Sequence, residues 1–270
     1  MVKRFDLWVR PTNDRAMEFA PVQRTELSTF DAYLASLSEP LDSFEEEAII
    51  ESALYRISID DVEVGSFAVH DGTLLTQFHM VGAAQRYGQR ALTRILDEYR
   101  VTAAYVPTSD NFLLSHAVDR EHVLKRQAYI FAEGVPGPVA AETKLNYRPA
   151  TAADIATITD VSGDFLDRLE TRVADGEVHV GWDGDELVAV GIAESGRLVT
   201  GHASIGMFTS EAHRRRGIGS ATLRYLRNVC HANGVTPIAG CWYYNTGSKL
   251  TLEAAGMIAV ARLLRIEFVS

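Results

Sequence analysis

The second half of the chain alternates between strand-like and helix-like hydrophobic patterns. Residues 177–182 alternate apolar and polar positions, an Asp-Gly turn occupies 183–184, and residues 186–193 return as a partner strand. Apolar residues at helical spacing predict an amphipathic helix over 218–232. The full predicted set is helices over 154–159, 164–173, 218–232 and 246–255 and strands over 177–182, 186–193, 203–209, 237–243 and 262–268.

The first half shows a weaker version of the same order, which indicates an internal duplication of pattern with little sequence identity. Its predicted elements are strands over 55–59, 62–69, 74–80, 103–107 and 126–131 and helices over 90–99 and 111–118. Glycines and prolines within 132–138 interrupt the pattern between the halves. We therefore expect two domains, residues 1–135 and 146–270, both of the α+β (α/β) class.

Composition and charge narrow the classes of function. The apolar fraction of 47% and the charged fraction of 23% are those of a soluble, packed protein. No apolar run reaches the roughly 20 residues of a membrane helix, and the charged N-terminus has no apolar stretch behind it. We therefore expect a cytoplasmic protein without a membrane partner. The net charge of −10 argues against nucleic acid as the main partner.

Acidic residues are concentrated in the first half. Residues 1–145 carry 14 Lys and Arg against 22 Asp and Glu, whereas residues 146–270 carry 12 against 14. The run Glu45-Glu46-Glu47 adds to this excess, and we interpret it as a solvated helix face. The alternative is an acidic wall that attracts a cationic amine.

The two cysteines, Cys230 and Cys241, are too few for a disulfide scaffold or a thiolate metal site. No Cys/His spacing in the sequence is typical of zinc. We therefore expect two reduced thiols and no bound metal.

The most informative segment is 209–220, which lies between a predicted strand and a predicted helix. A helix start presents unpaired N–H groups and a favourable dipole, so it is a natural anion site. Gly217 and Gly219 let the backbone approach a diphosphate closely, and Ser220 adds a hydroxyl. A basic triplet at 214–216 directly precedes these residues.

The pattern Arg214-x-x-Gly217-x-Gly219 resembles the (Gln/Arg)-x-x-Gly-x-(Gly/Ala) acyl-CoA-binding motif of the GNAT N-acetyltransferases. The segment 245–257 resembles the next block of that family, with Met257 in place of an aromatic residue, and 147–155 resembles its opening strand and helix. The resemblance implies two GNAT-like domains, each a mixed, splayed sheet flanked by helices. It also implies that acetyl-CoA binds between the two central strands of the second domain.

The resemblance also implies the cofactor contacts. The N–H groups of the loop would hold the pyrophosphate, the preceding strand would contact the pantetheine arm and polarise the thioester carbonyl, and Asn245 would contact the arm or simply cap its helix. The implied residues are Met207, Phe208, Thr209, Arg214, Arg215, Arg216, Gly217, Ile218, Gly219, Ser220, Asn245 and Ser248.

The motif does not identify the catalytic groups. Leu252 occupies the position where many members of the family carry a proton-donating Tyr. Ser248, Tyr243 or Tyr244 could donate the proton instead. For the general base we name His202, near the start of the central strand.

Two further titratable residues are weaker candidates for the base. His213 abuts the loop, and we expect it to face solvent. Glu194 ends a predicted strand, and we expect it to be a solvated carboxylate. A structural histidine remains the alternative for His202, and water could relay the proton.

The first half departs from the motif in Gln85-Arg86-Tyr87-Gly88-Gln89-Arg90, where Arg90 stands at the position that needs Gly or Ala. We interpret this half as a degenerate GNAT-like domain that shapes the substrate pocket. The leading hypothesis is a monomeric or homodimeric N-acetyltransferase that acts on the primary amine of a small molecule by direct attack in a ternary complex. The acidic first half favours a cationic amine. A non-catalytic acyl-CoA sensor and a structural interaction module are the alternatives.

Overall fold

The computed structural model describes residues 16–135, 137 and 145–269. The N-terminal residues used to predict the absence of a signal peptide, and most of the predicted domain boundary, lie outside them. The strands are β1 (Met17–Pro21), β2 (Ala53–Ile59), β3 (Val62–His70), β4 (Leu74–Met80), β5 (Ala103–Pro107), β6 (His122–Glu133), β7 (Asn146–Pro149), β8 (Val178–Asp183), β9 (Glu186–Ser195), β10 (His202–Thr209), β11 (Thr236–Trp242) and β12 (Met257–Phe268). The α-helices are α1 (Phe30–Ser36), α2 (Ser43–Ile50), α3 (Gly88–Glu98), α4 (Asn111–Val118), α5 (Ile155–Ser162), α6 (Leu169–Ala174), α7 (Ile218–Ala232) and α8 (Thr246–Ala254).

The strands of the described residues form one mixed sheet in the order β1-β2-β3-β4-β5-β12-β6-β11-β10-β9-β8-β7. The last strand of each half is exchanged, because β12 lies between β5 and β6, and β6 lies between β12 and β11. The antiparallel pairing of β6 with β12 runs from Met257↔Glu133 to Phe268↔His122. Each half therefore completes its sheet with a strand from the other half.

The parallel strands β10 and β11 diverge along their length. They pair only as far as Ser204↔Ile238, whereas β10 stays paired with β9 as far as Thr209 and β11 stays paired with β6 as far as Trp242. The sheet therefore opens between β10 and β11 beyond Ser204. The parallel strands β4 and β5 of the first half diverge in the same way after Leu75.

Helices cover both faces of the sheet. Along β10, Ile205 and Met207 pack in one core cluster with Leu223 of α7 and Leu252 of α8. Phe208 has the opposite parity and packs in another cluster with residues of α5 and α6. The predicted fold class is therefore confirmed, since a mixed, opened sheet is flanked by helices.

Several elements differ from their predictions. The strand β1 and the helices α1 and α2 were not predicted, because their short apolar runs have no clear period. The helix predicted over 164–173 starts only at Leu169, since Arg168 adopts a left-handed conformation with φ 48°. The strands β6 and β12 start before the predicted 126–131 and 262–268, and their extra residues pair across the exchange.

No helix within the described residues has both the length and the apolar character that crossing a membrane requires.

Candidate functional site

The loop between β10 and α7 has the backbone geometry of an anion site. Gly217, the N-cap of α7, is left-handed at φ 79° and ψ 0°, and Arg215 is left-handed at φ 60°. The N–H of Ala221 donates to Gly217 O at 3.0 Å. The N–H groups of residues 218–220 precede that bond, so the geometry of an α-helix gives them no acceptor within it. They are therefore available to an anion.

Arginine side chains surround this helix start. Arg214 donates from Nε to Thr209 O at 3.2 Å, and its guanidinium lies 5.7 Å from the ring centre of Phe208. Arg215 and Arg216 are exposed, and neither forms an ion pair with any residue that the structure describes. Their charge is thus available to a phosphate group.

Two polar residues at the loop support its conformation. Ser220 donates from its hydroxyl to Gly217 O at 2.9 Å. The prediction that His213 faces solvent is wrong, because His213 is buried. Its Nδ1 lies 2.9 Å from Ser210 Oγ and its Nε2 lies 3.7 Å from Glu186 Oε2. Its position is therefore that of a structural residue of the loop.

Gly219 lies where α7, β10 and α8 meet. A Cβ atom built on Gly219 would lie 3.0 Å from Thr251 Cγ2 and 3.1 Å from Met207 Sδ. Met207 belongs to the part of β10 that is no longer paired with β11, so the loop and the opening in the sheet are adjacent. Asn245 accepts a hydrogen bond from the Ser248 N–H at 3.0 Å and thereby caps α8.

The equivalent loop of the first half has a different geometry. Gly88 is helical, with φ −54° and ψ −45°, so the left-handed cap of the second half has no counterpart there. The space beside Gly88 is filled by the side chains of His116 and Phe112. This half therefore does not offer the same approach to a diphosphate.

A cavity of about 380 Å³ lies where β10 and β11 diverge. Ser204 and Gly206 of β10 and Gly240 of β11 line its floor. Asp42 and Phe44, at the start of α2 in the first half, complete its wall. Both halves of the chain thus build this cavity.

Three carboxylates line the cavity: those of Asp42, Asp167 and Glu194. Arg172 Nη1 lies 3.0 Å from Glu194 Oε2, and Arg172 Nη2 lies 2.9 Å from Asp167 Oδ1. The expectation that Glu194 is a solvated strand-end carboxylate is therefore wrong, because a buried arginine holds it. Asp42 has no cationic partner within the described residues, and the lining as a whole is negative.

Asp42 is the N-cap of α2. Its Oδ1 accepts from the Glu45 N–H at 2.9 Å, and Glu45 Oε2 accepts from the Asp42 N–H at 3.0 Å. Its Oδ2 lies against Gly240, in the space that a Cβ would need. Burial raises the pKa of the Asp42 carboxyl to about 6, and the negative charges of Glu46 and Glu194 act in the same direction.

Hydrogen bonds fix α2 on the second half. The Ser43 N–H donates to Ser204 Oγ at 2.8 Å. The Glu46 carboxylate accepts from the N–H groups of residues 197–199 at 2.7, 2.9 and 2.7 Å. The interpretation of the run 45–47 as a solvated helix face is wrong, because its first two side chains are buried. Glu46 instead helps to hold α2 on the second half.

Aromatic side chains surround the mouth of the cavity. Phe44, Phe165 and Trp242 line it and keep a large exposed fraction. A negatively charged lining together with exposed aromatic side chains suits a cation that carries an apolar body.

The predicted catalytic residues lie in different places. His202 lies at the paired end of β10, where its Nδ1 is 3.3 Å from Thr200 O, and it does not line the cavity. Ser248 lies in the first turn of α8. Leu252 is buried in the core beside Leu223 and so adds no polar group to the site.

Tyr243 follows the end of β11, and its ring stacks on Tyr129 with centres 4.6 Å apart. Arg126 donates from Nη1 to the Tyr243 hydroxyl at 3.3 Å. The pKa of Tyr243 lies below its usual range, because Tyr129 and Arg126 both donate to its hydroxyl. Tyr243 is therefore an unusually acidic phenol.

Asp42 and Arg172 were missed by the sequence analysis. The capping box Asp42-x-x-Glu45 is readable in the sequence and could have located the start of α2. The position of Asp42 over Gly240 was not predictable from the sequence, because it depends on how the two halves pack. No group of His, Cys, Asp and Glu in the described part of the chain has the arrangement of a metal site.

Comparison with known proteins places both halves in one class. A family model described as an acetyltransferase (GNAT) domain matches residues 24–134, and one described as the acetyltransferase (GNAT) family matches residues 150–257. The chain belongs to the GNAT acyltransferases and carries two GNAT domains in tandem. A search of curated proteins gave no significant match.

Solved structures share the fold at low sequence identity. A GNAT-family acetyltransferase from Colwellia psychrerythraea matches with TM-score 0.85 and 18% identity, over 93% of this chain and 100% of its own. A GCN5-related N-acetyltransferase from Sphaerobacter thermophilus matches with TM-score 0.66 and 15% identity, over 93% and 95%. A tandem GNAT protein from the clavulanic acid biosynthesis pathway matches with TM-score 0.57 and 13% identity, over 93% and 98%.

Proposed function

We propose that the second half, residues 146–270, binds acetyl-CoA and transfers its acetyl group to the primary amine of a small molecule. The transfer is a direct attack while both substrates are bound. One observation carries the proposal: the anion-binding loop adjoins the opening between β10 and β11 at Gly219 and Met207. Phosphates held at the loop would direct the thioester into that opening.

The chain offers a fitting group for each part of acetyl-CoA. The free N–H groups at the start of α7, with Arg215 and Arg216 beside them, suit the pyrophosphate. At residues 207–209, the edge of β10 on the β11 side is not paired with β11. The backbone groups of this edge can therefore pair with the pantetheine arm. One N–H of this edge would polarise the thioester carbonyl. Asn245 and Ser248 would contact the arm from α8.

Direct transfer is favoured over an acyl-enzyme, because the nucleophile that such an intermediate needs is inactive here. Cys241 lines the cavity. Burial raises the pKa of its thiol to about 11. A thiol attacks as the thiolate, so Cys241 stays protonated and unreactive at neutral pH.

The proposed acceptor is a small cationic amine with an aromatic or aliphatic body. The acidic lining attracts the ammonium group, and the rim of Phe44, Phe165 and Trp242 covers the body. The cavity volume of about 380 Å³ suits a small molecule.

Tyr243 is the proposed proton donor for the leaving thiolate. It directly follows β11, one of the two strands that border the opening, and its lowered pKa makes donation easier. It would take the role of the tyrosine that Leu252 replaces. Ser248 and His202 have no comparable support.

We propose that the first half, residues 1–135, is degenerate for cofactor binding and instead forms part of the acceptor cavity. The helical conformation of Gly88 supports the first part, and the position of α2 supports the second. A cytoplasmic protein, monomeric or homodimeric and without nucleic-acid or membrane partners, remains part of the proposal.

The test is turnover with acetyl-CoA and four amines: phenethylamine, cyclohexylmethylamine, putrescine and ethanolamine. Release of the CoA thiol and the mass of the acetylated amine are measured. We expect the two amines with an apolar body to have the highest kcat/KM and Gly219→Trp to abolish turnover. Acetyl-CoA binding without turnover of any amine would instead support the acyl-CoA sensor.

A further inference from the structure

We propose that Asp42 is the general base of the acyl transfer, so that the first half supplies a catalytic residue to the site of the second half. This inference rests on the proposed function and names a residue that the GNAT motif in 209–220 does not contain. It would make both halves necessary for the chemistry.

The position of the Asp42 carboxylate supports this role. Capping of α2 uses Oδ1, which accepts from the Glu45 N–H. Oδ2 lies against Gly240, two residues beyond Ile238, the last residue of β11 that pairs with β10. It therefore faces the opening in which the thioester carbonyl is proposed to lie.

The three carboxylates of the cavity differ in their ion pairing. Glu194 and Asp167 are ion-paired with Arg172 at 3.0 and 2.9 Å. An ion pair stabilises the carboxylate and lowers its basicity. Asp42 has no such partner among the described residues, and its buried carboxyl has a pKa of about 6. It is the carboxylate best suited to accept a proton near neutral pH.

Hydrogen bonds fix the position of Asp42 relative to the strands that are proposed to bind the thioester. The adjacent Ser43 N–H donates to Ser204 of β10. The Glu46 carboxylate binds three N–H groups at 197–199, directly before β10. A base held by two such contacts is preorganised for proton transfer.

The proposed step balances as follows. The bound ammonium group first gives one proton to water. The resulting neutral amine nitrogen attacks the thioester carbonyl carbon, and a C–N bond forms while one N–H proton passes to Asp42. The C–S bond then breaks with its electron pair on sulfur, and the thiolate takes a proton from Tyr243. Asp42 returns its proton to water, and Tyr243 regains one from water.

The charged and titratable groups around Asp42 determine its titration. They are Glu45 and Glu46 on α2, Glu194 on β9, Asp167 and Arg172 at α6, and Cys241 on β11. Burial raises the pKa of the Asp42 carboxyl, and the negative charges of Glu46 and Glu194 raise it further, so the carboxylate gains basicity from its surroundings.

The test uses the intact chain with acetyl-CoA and the most active amine of the four. Wild-type kcat is expected to fall on the acid side with an apparent pKa near 6. Asp42→Asn keeps an oxygen for the α2 cap and is expected to lower kcat by about 100-fold or more. The affinity for acetyl-CoA should change by less than about threefold. The fall of kcat at acid pH should disappear.

The matched control is Asp110→Asn. Asp110 is also a buried N-cap with a pKa of about 6, but it caps α4 and does not line the cavity. This control should keep both kcat and its fall at acid pH. An Asp42→Asn variant with kcat within about threefold of wild type overturns the inference and leaves the proposed function intact. A wild-type kcat that is flat from pH 5 to 8 overturns it even if the variant fails to fold.

Discussion

The carboxylate of Asp42 lies directly against the backbone of Gly240, and no Cβ fits between them. One residue belongs to the first half and the other to a central strand of the second. The exchange of β6 and β12 connects the same two halves through backbone hydrogen bonds. The cavity between β10 and β11 therefore exists only when both halves are folded together.

Replacing Gly240 with Ala tests this contact. The new methyl group would overlap Asp42 Oδ2, so we expect Gly240→Ala to lower the free energy of unfolding by about 1–3 kcal/mol. In an Asp42→Ala background the same substitution should lower the free energy of unfolding much less, because the carboxylate that the methyl group would overlap is absent. Urea unfolding of the four proteins of this cycle measures the coupling. Equal costs in both backgrounds would show that the two residues are not in contact.

Removing the Glu46 carboxylate tests the attachment of α2. Glu46→Ala leaves three N–H groups at 197–199 without their acceptor, so we expect a loss of about 3 kcal/mol in the free energy of unfolding. The neighbouring Glu47 makes only partly exposed ion pairs with Arg168 and Arg197. Glu47→Ala should therefore cost less than about 1 kcal/mol. Similar costs for the two variants, measured by urea unfolding, would contradict the assignment.

Asp110 provides a prediction for pH dependence. Burial raises the pKa of its carboxyl from 3.8 to about 6 in the folded protein. Between these values the folded state holds a proton that the unfolded state has lost, so this group makes the protein less stable as pH rises from about 4 to 6. The full effect is about 3 kcal/mol above pH 6.

Asp110→Asn removes that titration and keeps an acceptor for the Leu113 N–H. We therefore expect the variant to gain stability relative to wild type as pH rises from 4 to 7, measured by urea unfolding at each pH. A constant difference between the two proteins over this range would show that Asp110 does not titrate as described.

Tyr243→Phe tests the proposed proton donor. The substitution removes the hydroxyl that Arg126 contacts, and we expect kcat to fall by about 10-fold or more while acetyl-CoA affinity is unchanged. Tyr244, the exposed neighbour, is the matched control, and Tyr244→Phe should keep its activity. Steady-state kinetics with thiol detection measures both. Equal kcat for the two variants would remove Tyr243 from the mechanism.

The order of strands and helices in the second half was predictable because its elements have clear periods and its turns have distinctive residues. The Asp-Gly turn at 183–184 and the helix α7 are examples. The backbone geometry at the start of α7 was predictable because it is local, and Gly217 provides the left-handed cap.

The strand exchange and the cavity between β10 and β11 were not predictable from the sequence. The alternation in β6 and β12 shows that they are strands but not which strands they join. Glu46 has the sequence context of a surface residue, yet its partners at 197–199 are distant in the chain. His202 was chosen from its place on a central strand, but a sequence does not show where two parallel strands diverge.

The most direct test of the account is calorimetric titration of acetyl-CoA into wild type, Gly219→Trp and the matched first-half variant Arg90→Trp. A side chain at Gly219 meets Met207 and Thr251, between the loop and the opening of the sheet. Arg90 is exposed at the corresponding position of the first half. Arg216→Glu, an exposed charge reversal with no packing change, provides a second variant, which should weaken binding about 10-fold or more. We expect one bound equivalent for wild type and Arg90→Trp and none for Gly219→Trp. No binding to wild type, or loss of binding only in Arg90→Trp, would contradict it.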